Sequence, residues 1–117
     1  MTPTHLTDRP QVSLVIPIRN EAGNIGPLIN EIRASLDEAG FSWEILVIND
    51  GSTDESVNEV ESLFGDTSKI HLIHLKDGQG KSAALSRGFA SVRGEAVVML
   101  DGDGQDDPAE IPQMLTR

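Results

Sequence analysis

The sequence predicts an α/β fold, a parallel sheet in which strands and helices alternate along the chain. Three observations carry that expectation. Strand starts, each leading into a partly β-branched apolar run, fall at residues 12, 44, 70 and 95, and a helical spacing of apolar residues lies between each pair. The last of these runs, Ala96 to Leu100, is unbroken and bounded by glycines, as expected of a strand buried on both faces. No long linker or low-complexity segment interrupts the pattern. Repeated β-α units require right-handed crossovers, and these align the strand C-termini along one edge, where ligands bind at the switch in strand order.

Residues 1–11 read as a flexible polar lead-in, and residues 12–117 as the folded part. Val12 to Ile16 forms the first strand, which Pro17, having no N–H, is expected to stop. Asn24 is placed to cap a helix with Ile25, Leu28, Ile29, Ile32 and Leu36 on one face, and Gly40 to end it. Glu44 to Ile48 is the second strand. Ser52 with Glu55 then reads as a capping box for a helix with Val57, Val60, Leu63 and Phe64 inward. Ile70 to Leu75 is the third strand, followed by a polar turn at 76–80. A helix from Lys81 to about Arg93 is expected to turn Leu85, Gly88, Phe89 and Val92 inward. After the fourth strand, Asp107 caps and Pro108 begins a last helical segment, which Pro112 interrupts or restarts.

The fourth strand delivers Asp101, Asp103, Gln105, Asp106 and Asp107 within seven residues. Two carboxylates ~6 Å apart repel by roughly 3 kcal/mol at an effective dielectric near 20. A hard divalent cation, which prefers oxygen ligands, offsets such a cluster, and Gly102 and Gly104 leave the backbone free to wrap it. The plainer alternative is a solvated acidic turn. A calcium loop of the EF-hand kind fails, because its glycine position holds Asp106 and its glutamate position Pro112.

Four polar turns, at 17–21, 50–53, 76–81 and 101–107, should therefore converge on one cleft. Gly80-Lys81-Ser82 resembles the end of a P-loop, but Leu75 stands where its first glycine belongs. Gly78, Gly80 and Ala83 match a dinucleotide-binding spacing with Asp101 as ribose acid, a reading that leaves Asp103, Gln105 and the Asp50 turn unexplained. A phospho-receiver domain would need an acidic pair after the first strand, where Pro17-Ile18-Arg19-Asn20 stands. His71 and His74, three apart on a strand, point to opposite faces and fit an exposed edge rather than a shared metal. Asp50 reads as either an Asx-turn residue or a ligand contact, and Glu21 has a similar standing.

Composition narrows the classes further. A 117-residue chain is one domain or part of one, and 38% apolar residues with a mean hydropathy of -0.21 suit a soluble globular chain. No apolar run is long enough to span a bilayer, and Met1 to Pro10 is too polar for a signal peptide. The absence of cysteine excludes disulfides and thiolate metal sites. A net charge of -10 argues against nucleic-acid binding, and three Phe with one Trp give no platform for stacking bases. An anionic ligand must then be recruited by a cation or by backbone donors.

The segments VSLVIPIRNEAGNI, EILVINDGSTDES, KDGQGKSAALSRGFA and VVMLDGDGQDDP resemble family 2 glycosyltransferases, most closely the polyprenyl-phosphate branch of enzymes similar to dolichol-phosphate mannose synthase. The resemblance extends from Val12 over nearly the whole chain. It implies the Rossmann-like nucleotide-binding half of a GT-A fold and an enzyme that takes its sugar from a GDP- or UDP-sugar. It further implies Mg²⁺ or Mn²⁺ as cofactor and a polyprenyl phosphate acceptor at the cytosolic face of a membrane. A saccharide hydroxyl is the alternative acceptor, and a non-catalytic nucleotide-binding fragment the alternative role. By matching position, Pro17, Glu21, Asp50, Lys81 and Asp101 would bind the nucleotide sugar, with Asp50 on the base or ribose. Asp101 and Asp103 would be the catalytic DxD-type pair, with Asp103 and Gln105 as metal ligands. The family's second half, about as long again, is expected to follow Arg117, so the chain reads as the donor-binding part of a truncated domain. Its oligomeric state is left open.

Overall fold

The structure is a computed structural model that describes residues 9–65, 67–76, 79–102 and 107–115. It shows the parallel α/β sheet that the sequence predicts. Strands β1 (Val12–Ile18), β2 (Trp43–Asn49), β3 (Ile70–His74) and β4 (Ala96–Met99) stand in the order β3-β2-β1-β4, all parallel. Helices α1 (Ile25–Ala39), α2 (Ser56–Glu61) and α3 (Lys81–Ser91) connect them; a 3₁₀ turn (Pro108–Glu110) and α4 (Ile111–Leu115) follow.

The larger core lies on one face of the sheet. There Leu14, Ile16, Ile18, Ile45 and Val47 meet the apolar stripe of α1, whose Ile25, Leu28, Ile29, Ile32 and Leu36 are all buried as their spacing requires. Each fully buried Leu or Ile contributes roughly 1.5–3 kcal/mol. Gly40 ends α1 in a left-handed conformation (φ 83°), its N–H bonding Asp37 O while Phe41 N–H bonds Leu36 O. On the opposite face α3 lies over β1 and β2, and a smaller cluster forms from Val15, Leu46, Ile48 and Ala84. The helix sits very close, because a Cβ on Gly88 would lie 2.4 Å from Val15 Cγ1.

That close seat explains two departures from expectation. Phe89, expected inward, is 44% exposed, since Ala84 and Gly88 make the contact line and Phe89 lies more than a quarter of a turn off it. β4, expected to be buried on both faces, is an edge strand; Val98 and Leu100 face the larger core while Val97 and Met99 stay exposed. α3 covers β1 and β2 and leaves that side of β4 open.

Pro17 does not stop β1. The strand runs on to Ile18, paired with β2 as far as Ile18↔Asn49, and only its ladder to β4 ends, at Val15↔Met99. A residue without N–H can close one ladder while the other continues on the opposite side. Asn24 is the residue before α1 but makes no side-chain cap. The cap comes from α2 instead, where Glu59 accepts the N–H groups of Gly23 (2.7 Å) and Gly26. The capping box at Ser52 and Glu55 is also absent, because α2 starts at Ser56 and Ser52 serves the neighbouring turn. Asp107 does cap, accepting Ala109 N–H at 3.0 Å ahead of Pro108, and Pro112 falls in the first turn of α4. His71 and His74 are exposed on β3, the other edge.

Candidate functional site: a cleft between four turns

At the C-terminal edge of the sheet each strand enters a turn, and each turn is tied to its neighbours. The first begins at Arg19 and contains Asn20 in a left-handed conformation (φ 58°). Its backbone N–H groups point at the second turn: Asn20 donates to Ser52 Oγ (3.0 Å), Glu21 to Ser56 Oγ (2.7 Å) and Ala22 to Asp54 Oδ2 (3.1 Å). Thr53 N–H returns a bond to Asn20 Oδ1 at 2.8 Å. A run of Ser, Thr and Asp supplies short acceptors, which is why this stretch can hold three N–H groups that belong to no helix.

The second turn is joined to the third. Asn49, not Asp50, bonds the local backbone, accepting Ser52 N–H three residues on at 2.9 Å. Asp50, only 4% exposed, reaches across instead and accepts Gln79 N–H (3.2 Å) and Gly80 N–H (2.7 Å), one on each oxygen. The third turn is joined to the fourth by an ion pair between Lys81 Nζ and Asp101 Oδ1. The fourth closes on the first, since Gly102 packs so tightly that a Cβ there would lie 2.7 Å from Ile18 Cγ2 and 3.3 Å from Glu21 Cγ.

Inside this ring is a cavity of about 390 Å³, lined by Pro17, Arg19, Glu21, Asp50, Lys81 and Asp101 together with backbone of Gly80 and Gly102. The size is ordinary for a small-molecule site. Five of the residues singled out in the sequence are thus brought together: Pro17, Glu21, Asp50, Lys81 and Asp101. Asp103 and Gln105 lie outside the described residues. Three carboxylates and two cations share the wall. Lys81 and Asp101 are about half exposed at the mouth, with side chains 60% and 47% accessible, whereas Asp50 is sealed beneath them.

The donor set is all oxygen, which suits Mg²⁺ or Mn²⁺ rather than a softer metal. Among the described residues no three Asp, Glu or His are gathered closely enough to hold an ion. Asp101 and Asp107 are the described carboxylates of the acidic turn. Sequence reading missed Glu59, Ser56 and Asp54, which build the first two turns without lining the cavity. The signal for Glu59 was nonlocal, since a cap supplied by another helix leaves no pattern around Asn24.

The family model of glycosyl transferase family 2 matches residues 13–117. The chain belongs to glycosyl transferase family 2. Its dinucleotide-fold and phospho-receiver alternatives are thereby set aside. This family 2 chain is 38% identical over 108 residues to the undecaprenyl-phosphate 4-deoxy-4-formamido-L-arabinose transferase of Salmonella paratyphi A, covering 92% of this chain and 33% of that protein. It is 33% identical over 107 residues to the dodecaprenyl-phosphate galacturonate synthase of Rhizobium johnstonii, covering 91% and 32%. Its fold matches glucosyl-3-phosphoglycerate synthase from Mycobacterium tuberculosis, crystallised with Mn²⁺, UDP and phosphoglyceric acid, at a TM-score of 0.72 and 26% identity over 97% of this chain and 40% of that one. The family 2 chain spans about a third of the length of the curated relatives it matches. Among its described residues no helix is long and apolar enough to cross a membrane.

Proposed function

We propose that residues 12–117 form the donor-binding part of an enzyme that transfers a sugar from a nucleotide diphosphate to a polyprenyl phosphate at the cytosolic face of a membrane. The observation that carries this reading is the single cavity in which Pro17, Glu21, Asp50, Lys81 and Asp101 meet at the C-terminal strand edge. Its support for the lipid acceptor is that both curated relatives are named for polyprenyl-phosphate substrates or products.

A chain of net charge -10 repels a diphosphate, so the cleft must supply positive charge locally. Lys81 does this at the mouth, where its ammonium exchanges Asp101 for a phosphate oxygen as the donor enters. Pro17 and Glu21 wall the inner side, and the rigid turns hold them in place before the ligand arrives. A divalent cation held by Asp103 and Gln105 would offset charge on the departing nucleotide diphosphate. A polyprenyl phosphate is already an anionic nucleophile, which fits a cavity wall with no histidine among the described residues.

Calorimetry with UDP and GDP tests the reading directly. Binding should require Mn²⁺ or Mg²⁺, and should largely vanish in Asp103→Ala. Equal binding with a chelator present would reject the metal assignment. No binding of either nucleotide under any condition would reject the donor site.

A further inference from the structure

A second cavity, of about 610 Å³, lies at the opposite, N-terminal edge of the sheet, lined by Ser42, Trp43, Ser68, Lys69, His71 and Arg93. The length of β2, about 20 Å, separates it from the donor cavity. The two differ in sign. The donor cavity sets Arg19 and Lys81 against Glu21, Asp50 and Asp101, whereas here Lys69 and Arg93 meet one carboxylate, Glu44. Glu44 is 4% exposed and already engaged: its Oε2 accepts the Ser13 hydroxyl and Arg93 N–H, and its Oε1 lies 3.8 Å from His71 Nε2. Among the described residues neither Lys69 nor the Arg93 guanidinium has a carboxylate partner, in a chain whose acids outnumber Lys and Arg 19 to 9. Positive charge left uncompensated in so acidic a chain favours an anion at that place.

The two cations are also held before any ligand arrives. Lys69 Nζ lies 5.0 Å from the centroid of the Trp43 ring, and Arg33 Cζ lies 6.0 Å from it. Trp43 is itself anchored, being 4% exposed with Nε1 donating to Asp37 Oδ1 at 2.7 Å. Arg93 is tied at its carbonyl, which accepts Arg9 Nε–H at 2.9 Å, while its side chain stays exposed.

We propose that this cavity is a phosphate-binding site separate from the donor cleft, where the Arg93 fork and the Lys69 ammonium take the phosphate oxygens and a serine hydroxyl donates beside them. A planar guanidinium suits two oxygens and an ammonium one. The volume leaves room for the organic part of a phosphate ester. That ester is either a free metabolite or the headgroup of an anionic lipid, and both present the same group to the cavity. The site does not rest on the nucleotide reading above.

Trp43 is the one tryptophan of the chain, so its emission reports this cavity and not the donor cleft. Inorganic phosphate, titrated without metal at constant ionic strength, should draw Lys69 off the ring and change that emission saturably. Arg93→Ala should weaken the response about tenfold, the scale of one charge-assisted contact. Lys69→Ala removes the partner of the reporter, so it is read from the amide shifts of Ser68 and Arg93 and should show a similar loss. Arg87→Ala, an exposed cation outside the cavity, should change nothing. Vesicles of phosphatidylglycerol in phosphatidylcholine, set against phosphatidylcholine alone, form the second arm. A response to phosphate assigns a free ester, and a response to phosphatidylglycerol vesicles alone assigns a lipid headgroup, each only where Arg93→Ala weakens it. No response to either probe overturns the site, as does a response that survives Arg93→Ala and Lys69→Ala or falls equally in Arg87→Ala. Should Arg93→Ala not fold, Arg93→Lys keeps the charge, loses the fork and should weaken phosphate several-fold.

Discussion

Two buried carboxylates stand near the two ends of β2, and they solve the same problem at opposite edges of the sheet. Glu44 and Asp50 are each 4% exposed. Glu44 Oε2 accepts the Ser13 hydroxyl and the Arg93 N–H (2.7 Å), and Ser13 Oγ in turn accepts Gly94 N–H at 2.8 Å. The other oxygen lies 3.8 Å from His71 Nε2. This network joins β1, β2 and the entrance to β4 at the N-terminal edge. Asp50 makes an equally satisfied set of bonds, but its partners belong to a turn that borders the cleft. Burial and hydrogen bonding therefore do not separate a carboxylate that serves the fold from one that serves a site. The separation lies one residue further on, in what the bonded backbone carries next: the start of an edge strand in one case, Lys81 in the other.

The largest effect should come from removing the structural partner. Glu44→Ala leaves the Ser13 hydroxyl and Arg93 N–H without their acceptor, and stability should fall by about 2–3 kcal/mol. Chemical denaturation reads this, while nucleotide affinity of the folded fraction should hold. A loss of affinity without a loss of stability would erase the contrast with Asp50. Lys81→Ala should give the converse. Its ion pair is half exposed, so the stability change stays below about 1 kcal/mol. Binding of UDP or GDP should weaken by about tenfold, the scale of one charge-assisted contact. A drop in melting temperature as large as that of Glu44→Ala would assign Lys81 to the scaffold.

The smallest effect concerns Asp54, an exposed carboxylate in the second turn. The Ser56 hydroxyl lowers its pKa below the ordinary 3.8, with partial desolvation opposing and the Ser56 and Ala22 N–H groups adding to the fall. Because the folded value is the lower one, the contribution is present above pH 3.8 and is lost as pH falls through the folded value. In Ser56→Ala the carboxyl resonance of Asp54 should titrate closer to its ordinary position. An unmoved titration would credit the backbone donors alone.

Much of the fold was legible in the sequence because its signals are local. Apolar runs of fixed period marked four strands and the α1 stripe, and topology then required that their C-terminal turns share one edge. What was illegible depends on approach between segments distant in the chain. Phe89 looked inward on period alone, but the contact distance set by Gly88 and Val15 decided the face. Ser52 and Glu55 satisfy a capping pattern, yet Ser52 is drawn to Asn20, thirty-two residues away. Glu44 read as the polar first residue of a strand; its burial follows from Ser13 and Arg93, which no neighbouring residue announces. Asp50 stood out at once, but its partners across the cleft did not.

The closed ring of turns bears on how such a protein can change. Surface connections usually accept an extra residue at little cost, because the ends of a loop need only be brought together. Here an insertion between Arg19 and Gly23 would slide three N–H groups off Ser52, Ser56 and Asp54, and one at Gly51 would misplace the same acceptors. Exposed residues at the mouth of the cleft, such as Lys81, can be exchanged without moving the frame, but the number of residues in the first two turns cannot. Turn length is inherited like a core side chain, and diversity in what the cleft accepts must be written by substitution rather than by insertion.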